Sequence, residues 1–354
     1  RIGGDSLSGV AAISATDIWA VGSDVSGALT EHWNGTQWSF VTNPNQGTSH
    51  FLSGVAARST RDVWAVGQYV TSSNAFDTLT EHWNGRAWSI IPSPNTTSQF
   101  NDLLGVAVVS AKDVWAVGNS NAGQNTLIEH WDGAKWSIVP SPSPGVNGNS
   151  LNGVVAVSAT DAWAVGYQYN SSGIQQALIE QWNGTKWNVV SSPSPGPTIN
   201  DLSGVTALSA TDLWAVGYHD GTNTVQTLIE QWNGSSWSVV SSPNEASGGS
   251  FLNDDSAVSA SDAWAVGTYG TLFGVYDTLI EHWNGHAWSI VTSPSPGSAE
   301  SMLNGVVDIS GSSARAVGSY SNNHFTAQTL TEYWNGSVWS VVTSPNVATP
   351  PRAS

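Results

Sequence analysis

The chain has 354 residues, with nine Lys and Arg against 26 Asp and Glu, and a net charge of -17. So few cations would leave it repelled by phosphate backbones and anionic lipid, which sets nucleic acid and membrane insertion aside. Zero Cys removes disulfides, thiolate metal sites and a Cys nucleophile, and no apolar run approaches the roughly 18 residues of a spanning helix.

The first stretch with strand character is Leu7 to Ser14, followed after the turn Ala15-Thr16-Asp17 by Ile18 to Gly22. A third runs from Leu29 to Trp33, and a fourth from Trp38 to Val41. Each is short, rich in β-branched and aromatic residues, and bounded by Gly, Asn and Ser, which is the signature of strands. Asn34-Gly35 between the third and fourth supplies the positive φ of a tight hairpin. No segment sustains a 3.6-residue apolar period, so almost no helix is expected.

The unit then returns, with later copies of the first strand starting at Leu52, Leu104, Leu151, Leu202, Leu252 and Leu303. Its first Trp recurs at Trp19, Trp64, Trp115, Trp163, Trp214 and Trp264, and the seventh copy puts Arg315 in that slot. Two further series, from Trp33 to Trp334 and from Trp38 to Trp339, complete the 20 Trp of the chain. A period of about 50 residues with four strands per unit predicts an all-β, seven-bladed β-propeller with four antiparallel strands per blade. One domain over residues 1–354 follows, with blades at about 7–45, 52–95, 104–142, 151–193, 202–243, 252–294 and 303–345. The turn after strand one and the hairpin after strand three keep nearly constant length. The other two connections vary, and in an up-and-down blade they gather on one face, where repeat proteins carry function.

Laid out as Leu-x-Gly-Val, Trp-Ala-Val-Gly and Glu-His-Trp-Asn-Gly-x-x-Trp, the repeat resembles seven-bladed propellers of bacterial secreted repeat proteins. It is also similar to photosystem II assembly-factor propellers and to the Asp-box repeats of sialidase-like folds. The resemblance runs from Leu7 to Val342 and implies fold more than activity. Asp-box hairpins carry an acid where Trp33-Asn34-Gly35-Thr36-Gln37-Trp38 has Asn, Asp132 being the exception. Sialidase chemistry needs an arginine triad, and the scattered Arg1, Arg58, Arg61, Arg86, Arg315 and Arg352 give no sign of one.

A recurring Glu (Glu31, Glu81, Glu129, Glu180, Glu230, Glu281, Glu332) reads as structural, since catalysis needs an acid once or twice and not once per blade. Indole or backbone N–H groups are its expected donors. The recurring turn Asp, as at Asp17, reads as bonding nearby backbone. Its companions His32, His82, His130 and His282 alternate with Gln181, Gln231 and Tyr333, which argues against metal ligation.

Departures from the repeat carry more information. Arg58, Asp254, Asp255 and Asp308 interrupt strand one and are expected to line the central channel as polar groups. On the variable face, Tyr69, Tyr169, His219, Tyr269 and Tyr320 are read as one equivalent position just past the recurring Gly. Tyr167, Tyr218, Phe273, Tyr276, His324 and Phe325 lie near them in sequence. Such aromatics suit stacking against sugar rings or a protein partner.

With no nucleophile elbow, zinc triad or cofactor motif, the expected function is a non-catalytic extracellular propeller that binds glycan or protein through the variable-loop face. A self-associating scaffold and a polysaccharide-active enzyme are the alternatives. Low Lys, abundant Ser, Thr, Asn and Gly, and the opening Arg1 lead us to expect a mature form or fragment of an exported bacterial protein. No cofactor or metal is expected.

Overall fold

The computed structural model describes residues 4–245, 248–271, 274–322 and 326–347. They form 28 strands and no helix, arranged as seven antiparallel sheets. Every sheet takes four consecutive strands in sequence order, so each blade is one repeat and the fold is a seven-bladed β-propeller. Blade four shows the plan: Asn149–Ser158 innermost, then Asp161–Tyr169, Gln175–Trp182 and the short outer Trp187–Val190.

Neighbouring blades cover both faces of each sheet, so the middle strands are buried without alternation. Ala162 to Gly166 and Ala177 to Glu180 are buried throughout. The core is therefore divided into seven packets, one at each seam between blades. In the packet between blades four and five, Trp163, Val165 and Ile179 meet Leu202, Leu213, Ala215, Leu228 and Trp237. The Trp163 ring lies 4.9 Å from Trp232 and 5.7 Å, edge-on, from Trp237. The first Trp of each repeat thus plugs into the second and third Trp of the next, while second-series rings such as Trp131 lie only partly buried. At the last seam Arg315 fills the plug position, its guanidinium 4.3 Å from the Trp33 ring and 4.2 Å from Tyr333.

Among the described residues no strand crosses from one terminus to the other; blade seven closes on blade one by side-on packing. Asn304 Nδ2 donates to the Leu7 carbonyl at 2.8 Å, the contact that Asn152 makes with Leu202 at 2.9 Å between consecutive blades. Asp5 N–H donates to the Ala327 carbonyl at 3.0 Å, and Val347 N–H donates to the Asp5 carboxylate. These bonds hold the two ends where a covalent loop joins the other blades.

Two sequence details are explained by this packing. The third copy begins at Leu103 and not Leu104: Leu103 is fully buried, whereas Leu104 faces the channel. The Gly of Trp-Ala-Val-Gly sits opposite a bulge in strand one, where a Cβ on Gly166 would lie 2.1 Å from the Ser150 carbonyl oxygen. Only Gly allows that backbone approach.

Candidate functional site

The face carrying the constant hairpins is built from repeated structural contacts. Asn34 Oδ1 accepts from the N–H groups of Thr36 and Gln37, both at 3.0 Å, and Gly35 takes φ +94°. The turn aspartates do not bond nearby backbone as expected. They face strand three, where His32, His82, His130 and His282 lie 2.8 Å from Asp17, Asp62, Asp113 and Asp262. Gln181 and Gln231 donate to Asp161 and Asp212 at 3.0 and 3.1 Å. The second-series indoles donate to turn carbonyls, as Trp182 does to Ala159 at 3.2 Å.

The row of glutamates is fully buried. No indole N–H reaches them, which corrects that expectation; among the described residues only Glu81 and Glu230 receive a donor, each from the preceding blade's Pro loop, and the other five carboxyls have none. Asn43 donates to Glu81 at 2.7 Å, and the Ser192 hydroxyl to Glu230 at 2.8 and 3.0 Å. Burial raises Glu31, Glu129, Glu180, Glu230, Glu281 and Glu332 to about 8, and Glu81, with its amide donor, to about 7.

Around the axis, first strands from all blades enclose a cavity of about 200 Å³. Its innermost positions are Gly in six copies, where a Cβ on Gly105 would meet the Asn152 carbonyl at 3.1 Å. Asp254 takes the Gly slot of blade six and accepts from Val306 N–H at 2.9 Å, with burial raising it to about 7. It lines the channel. The other three expected channel residues are turned elsewhere. Asp255 is buried against Gly204 of blade five, and burial, with Asp254 beside it, holds it well above the usual carboxylate range. Asp308 occupies an Ala slot at the seam with blade six, raised to about 7 by burial and then by Asp262. Arg58 Nε donates to Asp62 at 2.6 Å near the hairpin face. Among the described residues no three His, Asp or Glu side chains group as a metal site.

On the variable-loop face, Tyr69, Tyr269 and Tyr320 are half-buried and pack on the seams. Tyr69 also donates to Asp77 at 3.3 Å, and His219 Nδ1 lies 3.1 Å from its neighbour's carbonyl. Tyr169 is not equivalent to them. It pairs with Gln175, one register step beyond Gln168, which is blade four's true counterpart of Tyr69 and Tyr269. One step along a strand reverses the side chain's face. Tyr276 is exposed at the start of its strand, while Phe273, His324 and Phe325 lie outside the described residues.

That reversal brings Tyr169 into a cluster at the channel mouth. Tyr167 and Tyr218, each one residue past the recurring Gly, stand directly opposite Ser150 and Asp201. The Tyr167 ring meets Tyr169 edge-on at 5.6 Å, and Tyr218 meets Phe251 at 5.0 Å. Between them the buried Asp201 accepts from Gln175 Nε2 at 2.7 Å and Asn152 Nδ2 at 3.0 Å. Asn152 also lines the channel. Burial raises Asp201 to about 7; burial and then the Asp201 charge raise both tyrosine hydroxyls. Four aromatic rings thus surround a carboxyl–amide network across blades four to six. Asp201, Gln175 and Asn152 escaped the sequence reading. For Asp201 the signal was the residue before each repeated Leu, which varies as Ser6, Phe51, Asp102, Ser150, Asp201, Phe251 and Met302.

Fold and site together define a seven-bladed propeller with its symmetry broken at one mouth of the channel. No family model and no curated protein matches the chain. Among solved structures it is similar to YCF48 bound to D1 peptide, with TM-score 0.57 and 15% identity over 88% of this chain and 90% of that one. It is also similar to the fucose-specific lectin from Aleuria aurantia, at TM-score 0.52 and 14% identity over 85% and 98% of the two chains. SapL1 lectin in complex with alpha methyl fucoside gives TM-score 0.50 and 13% identity over 100% and 98%. At these identities the likeness is one of fold. No helix among the described residues is long and apolar enough to cross a membrane.

Proposed function

We propose that this chain is a non-catalytic, extracellular binding propeller that takes a neutral glycan at the variable-loop mouth of its channel. The observation that carries this reading is the cluster of Tyr167, Tyr169 and Tyr218 around Asp201, Gln175 and Asn152. Ring faces suit the C–H face of a sugar, while amides and a carboxyl suit its hydroxyls. The acidic chain disfavours polyanions. Fold neighbours that are a fucose-specific lectin and a lectin complexed with alpha methyl fucoside support binding over turnover. A protein segment is the second reading, supported by the neighbour bound to a D1 peptide. A glycan array on the purified chain, repeated with Tyr167→Ala/Tyr218→Ala, tests the first reading. Neutral glycans should be retained by the native chain and lost by the double variant. Retention of none, with capture of extended peptides, would favour the second.

A further inference from the structure

Six of the seven repeats place a carboxylate at the hairpin end of strand two, beside the stacked Trp of the same strand. What recurs in those six copies is the contact of that Asp with the His or Gln of strand three, as at 2.8 Å between His82 and Asp62 Oδ1; only in blade two does the plug indole also donate to it, Trp64 Nε1 to the same oxygen at 3.2 Å. Blade seven changes all three partners together: Ser313 replaces the Asp, Arg315 the Trp and Tyr333 the His or Gln. The local charge is thereby inverted, from an anion to a cation.

Among the described residues that cation has no counterion. Arg315 is 5% exposed, sandwiched between Trp33 and Tyr333, and its Nε and Nη1 have no hydrogen-bond partner. Stacking on two rings accounts for the shape of the guanidinium, which is planar like the indole it replaces. It does not satisfy the in-plane N–H donors, and a buried charge without hydrogen bonds is costly. Ser313, two residues before Arg315 on the same strand, points to the same side and carries a hydroxyl where the other copies carry a carboxylate.

We propose that the seam between blades seven and one binds a single carboxylate, which docks against the Arg315 guanidinium and the Ser313 hydroxyl where the turn aspartate sits elsewhere. The ligand stands where the other six repeats carry an Asp carboxylate of their own. One guanidinium calls for one carboxylate, and the -17 charge of the chain works against longer polyanions. The site lies on the hairpin face, opposite the proposed glycan mouth, and stands independently of it.

The test titrates acetate and glucuronate at constant ionic strength, with chloride as control. It reads the Arg315 Nε–H resonance, the Trp33 indole signal and the melting temperature. The native chain should show a saturable shift of both resonances and a rise in melting temperature with at least one carboxylate. Acetate and glucuronate acting alike would identify a small carboxylate, and preference for glucuronate a sugar acid. Ser313→Asp should abolish the response, weakening binding roughly tenfold or more, and should itself raise the melting temperature by supplying the carboxylate internally. Arg315→Trp, which restores the repeat, should fold and not respond. No saturable shift with either acid, or an undiminished response in Ser313→Asp, would overturn the proposal and leave Arg315 a stacking group.

Discussion

Asn43 of blade one donates its side-chain amide to Glu81 of blade two across 2.7 Å, through a seam from which Glu81 is fully shielded from water. The same carboxyl recurs in every blade, raised by burial to about 8 in blade three, for example. A group raised in this way holds its proton more tightly folded than unfolded. Its stabilising contribution is complete below the ordinary value of 4.5 and is lost as pH rises through about 8. The melting temperature should therefore fall as pH rises from about 4.5 to about 8 and level off above that. Each carboxyl can contribute up to about 1.4 kcal/mol per pH unit to that slope. Glu180→Gln should flatten it by roughly one proton's share; an unchanged slope would show that Glu180 is not the titrating group.

A second prediction concerns the Pro loops. Thr227 Oγ1 lies 2.5 Å from Ser242 Oγ and its N–H donates to Asn244 at 2.8 Å, clasping the loop to strand three. Blades one and four have Ala28 and Ala177 at this slot, and there Asn43 and Ser192 turn to the next blade's Glu instead. Thr227→Ala should cost about 1 kcal/mol and free Ser242 to donate to Glu281. The Glu281 carboxyl titration, followed by carbon NMR, should then move down from about 8. No movement would separate the two contacts.

The tryptophans are not equal. Trp163 is wholly enclosed at its seam, whereas Trp131 is only partly buried and bonds a turn carbonyl at 3.2 Å. Trp163→Ala should cost about 3–5 kcal/mol in denaturant unfolding, and Trp131→Ala clearly less. Equal losses would count against the plug-and-socket account of the seams.

Glycine tolerance should follow backbone approach. Gly166→Ala would drive a methyl to 2.1 Å from the Ser150 oxygen and should prevent blade four from forming. Gly123→Ala meets nothing within 4 Å and carries only the strain of φ +80°, so it should cost on the order of 1 kcal/mol. Thermal melts of the two variants decide this.

The blades were legible because a repeat states its own period: three Trp series and Asn-Gly hairpins mark strand ends directly. Register was less legible. Leu103 and Leu104 are chemically identical, and only burial tells which one points inward. The same one-residue ambiguity placed Tyr169 with Tyr69, although Gln168 holds that register. Asp255 and Asp308 stood out as departures, but strand one faces both channel and seam, and sequence does not say which side a residue takes. The mouth cluster joins Gln175, Asn152 and Asp201 through contacts of 25 residues or more in separation, which no local pattern encodes.

The mouth cluster of blades four to six is the proposed binding surface. Calorimetric titration of neutral oligosaccharides into the native chain and into Tyr167→Ala/Tyr218→Ala tests it most directly, with circular dichroism confirming the fold of both. Each stacked ring contributes on the order of 1 kcal/mol beyond area burial, so the double variant should bind at least roughly tenfold more weakly. Equal affinity in the two proteins, or no heat from any neutral glycan with the native chain, would contradict it.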